Sequence, residues 1–167
     1  MTDDAAFEAW YRALYPNLVA SIGVVFGDPD LARDAADEAV ARAYERWHRV
    51  REMSSPNGWA YQVALNEARR RRRRQAIERR LLSRGAADVR ALDGPTGELW
   101  QLVRALPVRQ RTAVVLRHVA DLTEPEIGEA MGISRGGVSS TLRAAHASLR
   151  RQLADVDDPR WRKRATT

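Results

Sequence analysis

Cysteine is absent from the 167-residue chain, which excludes disulfides, thiolate metal sites and thiol catalysis and suits a reducing compartment. Lysine is nearly absent as well. Lys163 is the only one, so the positive charge is almost wholly arginine, whose planar fork suits bidentate phosphate recognition. The three histidines, His48, His118 and His146, are scattered and suggest neither a metal site nor a catalytic base. No apolar run is long enough for a bilayer, and the opening MTDDAAFEAW is acidic, so neither a membrane span nor a signal peptide is expected. Nucleotide-binding glycine loops and nucleophile–base pairings are missing, so neither an enzyme nor a cofactor is expected. Strand-like alternation is missing too, which leaves an all-α fold. Together these absences point to a soluble, cytoplasmic protein.

What is present is polarised. Residues 67–90 hold ten arginines against three acids, a net of +7, while residues 1–45 hold nine acids against three arginines, a net of −6. An acidic module beside a basic one implies two partners of different charge, one of them an anion such as nucleic acid.

Helical spacing organises the chain from its start. Phe7, Trp10, Tyr11 and Leu14 mark an opening helix, and Pro16 is placed to start a second one through Leu18, Ile22 and Phe26. Gly27-Asp28-Pro29 reads as a stop, a cap and a restart. The next helix carries an alanine-rich stripe and runs to about Arg49. After a polar loop, Ser55-Pro56 opens a helix that holds Trp59, Val63 and Ala64 and then passes into six arginines, Arg69 to Arg74. Six residues exceed one turn, so these charges are expected to point all ways and to project from the core. Trp47, Trp59 and Tyr61 could stack on bases, although aromatics at helical spacing more often pack; the amides of Gln62 and Asn66 have less structural purpose and are the better contacts. Residues 84–97 have linker composition, 98–153 form a second compact unit, and 154–167 are a tail with little sign of order.

Within the second unit, residues 121–150 read as two helices joined by a glycine turn. Thr123 and Glu126 have capping-box spacing, Pro125 falls in the first turn, Gly132 suits a helix end, and Ser134 is the next cap. Val138, Leu142, Ala145 and Leu149 then form a stripe for burial, and Ser139, Arg143, His146 and Arg150 a stripe for contact. This is the pattern of a helix-turn-helix whose second helix enters the major groove. A plain helical hairpin with a solvated outer face shows the two stripes as well.

The stretches DLARDAADEAVARAYERW, NGWAYQVALNEARR and the segment from Leu106 to Leu149 resemble the extracytoplasmic-function (ECF) sigma factors of RNA polymerase, in an arginine- and alanine-rich style similar to the actinobacterial members. The resemblance implies a sigma region 2-like helical domain over residues 1–83, a flexible linker and a sigma region 4-like helix-turn-helix domain over residues 98–153. It implies core RNA polymerase as a partner, docked on Asp34, Asp37 and Glu38, and promoter DNA as the other. Arg135, Gly136, Ser139, Ser140, Arg143 and His146 would contact the upstream element in duplex form. Ser54, Asn57, Trp59, Gln62, Asn66, Arg69, Arg70 and Arg73 would contact the melted strand of the downstream element. The resemblance also admits an anti-sigma factor as a partner. The chain departs from the common pattern at Arg33, Ala35 and Asp37, and at Ser139 and Thr141, where a lysine and an arginine are usual. Weaker phosphate affinity on the recognition helix is the expected result. A self-sufficient dimeric helix-turn-helix regulator with a sensing N-terminal half is the alternative reading.

Overall fold

The computed structural model describes residues 3–82 and 97–157. Eight helices make up the secondary structure of these residues: α1 Asp3–Phe26, α2 Pro29–Glu45, α3 Trp47–Val50, α4 Pro56–Leu82, α5 Glu98–Ala105, α6 Val108–His118, α7 Glu124–Met131 and α8 Arg135–Asp157. The linker expected at 84–97 lies outside the described residues except for Gly97. The expected tail begins inside α8, which carries on to Asp157; residues 158–167 lie outside the described residues.

Two helix boundaries differ from the sequence reading. Pro16 does not start a new helix but sits exposed within α1, whose buried face runs through it from Leu14 to Leu18, Ser21, Ile22 and Val25. Proline removes one intrahelical bond, and burial on both sides of it outweighs that loss. The second helix stops at Glu45 rather than Arg49, because Arg46 leaves helical geometry at φ −123°, ψ 23° and α3 begins anew with Trp47. The offset turns Trp47 into the core, where it meets Trp10 and Phe7 with ring centroids 5.0 and 5.3 Å away. Tyr44, near the end of α2, stays exposed with its ring against Phe7.

The caps follow the sequence. Asp28 accepts the Leu31 N–H at 3.0 Å with Pro29 in the first turn of α2. At α7, Glu126 Oε2 receives both the N–H and the hydroxyl of Thr123, at 2.8 and 2.7 Å. Gly132 ends α7 at φ 65°, ψ 40°, a left-handed conformation that costs glycine little.

α1, α2 and α4 pack through small residues, with Ala32, Ala35, Ala36, Ala39, Ala60, Ala64 and Ala68 all fully buried. α6, α7 and α8 pack around Leu116, Ile127, Val138 and Ala145. The two groups of helices are in direct contact: α7 lies on α4 and α6 on the end of α1, and their buried side chains join into one apolar cluster. There, Arg111 donates to the Val25 carbonyl at 3.0 Å and to the Leu106 carbonyl at 3.2 Å, bridging the C-terminal end of α1 to α6. Among the described residues, no helix is long and apolar enough to cross a membrane.

Candidate nucleic-acid interface

The face of α4 that the sequence assigns to a melted strand begins at Ser55. Its hydroxyl accepts the Gly58 N–H at 2.8 Å, capping the helix, and donates to Glu126 Oε1 of α7 at 3.0 Å. Two turns on, Gln62 donates its amide to the Glu129 carbonyl of α7 at 2.8 Å. Gln62, chosen because a mid-helix amide lacks structural purpose, therefore has one here: it holds the second group of helices against the first. Ser54 lines the same polar crevice, together with Thr123, Pro125 and Glu129.

The remaining residues of this group are divided among several surroundings. Asn57 accepts the Trp10 indole N–H at 2.8 Å, which ties the start of α4 to α1. Trp59 is half-buried against the core. Asn66 is exposed and accepts from Arg69 at 3.1 Å. Tyr61 and Trp47 are 1% and 8% exposed, so both serve packing rather than base stacking.

The arginine run does not simply project from the core. Glu67, 4% exposed, accepts from Arg70 Nε at 2.9 Å and Nη2 at 2.7 Å, and from Arg71 Nε at 2.8 Å. Arg71 also reaches Asp34 at 2.6 Å, and Arg72 caps the Phe26 carbonyl at 3.2 Å. Arg71 and Arg72 thus brace α4 against α2 and α1. Arg70, Arg73 and Arg74 face solvent, with Arg69 half-buried beside them. The sequence reading missed Glu67, although its three- and four-residue spacing to Arg70 and Arg71 is an ion-pair pattern.

The Arg70 hydrogen bonds hold the Glu67 carboxyl below its ordinary range, against the opposing effect of burial. A depressed folded-state pKa gives stability that is present above the unfolded value and lost as pH falls through the folded one. Glu67→Gln should therefore unfold in urea with a shallower dependence on pH than the wild type below about pH 4. Equal pH profiles would show that the pair contributes nothing.

On the recognition helix, Arg135, Gly136, Ser140 and Arg143 are exposed, as expected. Ser139 is half-buried and donates to Glu124 Oε2 at 2.9 Å. Thr141 is 9% exposed, and its hydroxyl donates to the Gly137 carbonyl at 2.7 Å. His146 departs from the expected stripe: it is half-buried, 5.8 Å from His118 ring to ring, at an apolar cleft of about 440 Å³ between α5, α6 and α8. At about 100° per residue it lies closest of its stripe to the buried Leu142. Burial, and then the His146 and Arg117 charges, lower the His118 pKa. The two imidazoles, far apart in sequence, are thus neighbours. Even so, no group of three or more metal-ligating side chains occurs among the described residues.

Of the three acids assigned to polymerase docking, Asp34 is paired with Arg71 and Glu38 with Arg42 at 2.7 Å. Asp37 instead accepts the Tyr15 hydroxyl at 2.6 Å, a bond that raises the Tyr15 pKa to about 12. Asp37 is the one of the three whose charge is not offset by an ion pair among the described residues.

Two family descriptions match the chain: Sigma-70 region 2 over residues 6–77 and Sigma-70, region 4 over residues 96–149. The chain is 29% identical over 155 residues to the RNA polymerase sigma-E factor of Streptomyces coelicolor, covering 90% of this chain and 88% of that protein. Against the sigma-E factor of Streptomyces antibioticus the identity is 30%, covering 90% and 86%. It is 26% identical to the ECF RNA polymerase sigma factor SigW of Bacillus subtilis, covering 79% and 80%. In fold it is similar to the sigma factor RpoE solved with the anti-sigma factor NepR from Bartonella quintana, with a TM-score of 0.72 at 19% identity over 91% of this chain and 98% of that one. CnrH, solved with the cytosolic domain of CnrY, gives a TM-score of 0.61 at 19% identity over 93% and 91%.

Proposed function

The chain belongs to the sigma-70 family as an ECF sigma factor of actinobacterial type, and from that membership we propose that it is the dissociable, non-enzymatic subunit that gives core RNA polymerase its promoter specificity and assists melting. The observation that carries this reading is the order of two sigma-70 regions in one chain, a region 2 unit followed by a region 4 helix-turn-helix. The region 2 match also accounts for the N-terminal half that a self-sufficient dimeric regulator would need as a sensor. In this reading α8 addresses the upstream element through Arg135, Ser139 and Arg143. The start of α4 receives the melted downstream strand, and Asp37 leads the docking on polymerase. The boundaries proposed for the two units are residues 1–83 and 98–153.

The contact of α7 with Ser55 and Gln62 covers the start of the face proposed for the melted strand. Strand capture therefore requires α7 to leave α4. An anti-sigma factor is proposed as a further partner, on the likeness to a sigma factor solved with one. Reconstitution tests the main reading: with core polymerase and fragments of its own genome, the protein should start transcription at defined promoters. Failure both to bind core and to initiate anywhere would overturn it.

The division of the arginine run gives a sharper test. Arg73 and Arg74 are proposed to meet phosphates, and replacing both with alanine should lower the slope of log affinity against log salt by roughly 0.7 to 0.9 for each phosphate that is no longer neutralised. Replacing Arg71 and Arg72 should instead lower the unfolding midpoint, because those side chains hold α4 to α2 and α1.

A further inference from the structure

Glu124, the first residue of α7, had no role in the sequence reading. Its side chain is 34% exposed, and a single oxygen, Oε2, meets two side chains of α8: the Ser139 hydroxyl at 2.9 Å and Arg135 Nε at 3.6 Å. Arg135 and Ser139 are four residues apart and so lie one above the other on the edge of α8 that continues to Arg143. The carboxylate therefore stands behind two consecutive side chains of the recognition face.

The consequence lies in hydrogen-bond polarity. Arg135 approaches the carboxylate through Nε, which leaves its two terminal NH₂ groups for an outside acceptor. Paired N–H groups of that kind match the O6 and N7 of guanine in the major groove. Ser139 gives its one proton to Glu124, so toward DNA it offers lone pairs only, which match the amino group of cytosine or adenine. We propose that Glu124 is a positioning residue for promoter reading, which makes Arg135 a pure donor aimed at guanine and Ser139 a pure acceptor for a neighbouring base amino group. The inference rests on the proposed reading of the upstream element by α8. A merely structural acid in the first turn of α7 would favour the helix dipole and have no bearing on base choice.

The test uses holoenzyme reconstituted with core polymerase and a promoter library randomised across the upstream element. Wild type should select a guanine beside a cytosine or adenine, rather than a guanine or thymine, on the strand that Ser139 faces. Glu124→Gln can still accept a bond at this site but loses the charge that holds Arg135 and the obligation on the Ser139 proton. It should reduce discrimination at those two positions at least about fivefold, leave the other positions unchanged, and shift the melting temperature by no more than about 3 °C. Arg135→Ala and Ser139→Ala should each erase one of the two preferences, and adding Glu124→Gln to the pair should change nothing further. If the arginine and serine variants alter base choice while Glu124→Gln does not, the positioning role is overturned alone. If none of the three alters base choice at the upstream element, the reading of α8 falls with it. A uniform loss across all bases with a large drop in melting temperature would assign Glu124 to α7 stability only.

Discussion

Gly58→Ala is expected to open the molecule and to raise its apparent affinity for core polymerase. A Cβ at residue 58 would stand 2.8 Å from Ser55 Oγ, 3.1 Å from the Glu126 carbonyl oxygen and 3.3 Å from Glu129 Oε2. The first distance is closer than side chains tolerate and the second is to backbone, so α7 must retreat from α4. The Ser55 hydroxyl, which caps α4 and bonds Glu126 at once, must move too. Overpacking of this kind costs about 1–3 kcal/mol; the part at Glu126 and Glu129 falls on the closed arrangement alone, whereas the Ser55 clash lies within the start of α4. Within α4 itself, alanine is favoured over glycine by up to about 1 kcal/mol, which offsets the disturbance of the Ser55 cap in the open form. The ratio of open to closed molecules should rise by about 5- to 150-fold, and apparent affinity with it, for as long as the closed form predominates. Small-angle scattering should show a larger radius of gyration in the variant, and a binding titration should show tighter association with core polymerase. An unchanged radius would mean that the α4–α7 contact yields without separating the two groups of helices. Unchanged affinity in an opened molecule would show that closure does not limit polymerase binding.

The other large effect is at alkaline pH. Burial pushes the Tyr61 phenol up to about 12, and among the described residues its hydroxyl has only a long contact to Ser21, at 3.5 Å. In the unfolded chain the same group ionises near pH 10. A folded-state pKa raised in this way gives stability that is fully present below the unfolded value and lost as pH rises through the folded one. Between pH 10 and 12 the folded protein should lose about 1.4 kcal/mol per pH unit from this group, reaching roughly 3 kcal/mol. Tyr61→Phe keeps the ring that fills the core and removes the ionising group, so its urea midpoint should fall less steeply over that range. Identical profiles for the two proteins would show that the phenol ionises without unfolding its surroundings. Tyr15, whose pKa is raised chiefly by its bond to Asp37, adds a second component that Tyr15→Phe isolates.

Tyr61 and Gln62 are adjacent on α4 and illustrate what sequence alone conveys. Both could be placed on a helix by spacing, and neither could be assigned a neighbour. Tyr61 could have served packing or base stacking, with packing the more usual role, and it is core; Gln62 looked free and is bonded to α7. Pro16 is similar. As a local signal it reads as a helix start, and only the apolar face that runs past it on both sides overrides that signal.

The sequence by itself determined the features that depend on a few adjacent residues. The caps at Asp28 and Thr123, the left-handed end at Gly132, the two stripes of the recognition helix apart from Ser139 and His146, and the all-helical class all follow from short-range geometry. Its motifs were also specific enough to place the chain among sigma factors, because the order of the two regions extends over most of its length. The tertiary structure alone decided which polar groups are already engaged. Glu67 gathers two arginines out of the run of six, Glu126 and Glu129 cover the start of α4, and Glu124 takes the proton of Ser139. The contacts of Glu126, Glu129 and Glu124 join residues 15 to 71 positions apart, whose distance in space is set by how whole helices pack. Glu67 pairs locally, yet only its burial and the reach of Arg71 and Arg72 to α2 and α1 show which of the six arginines turn inward. Local periodicity carries information about the face of a helix. It carries none about what the neighbouring helix brings to that face.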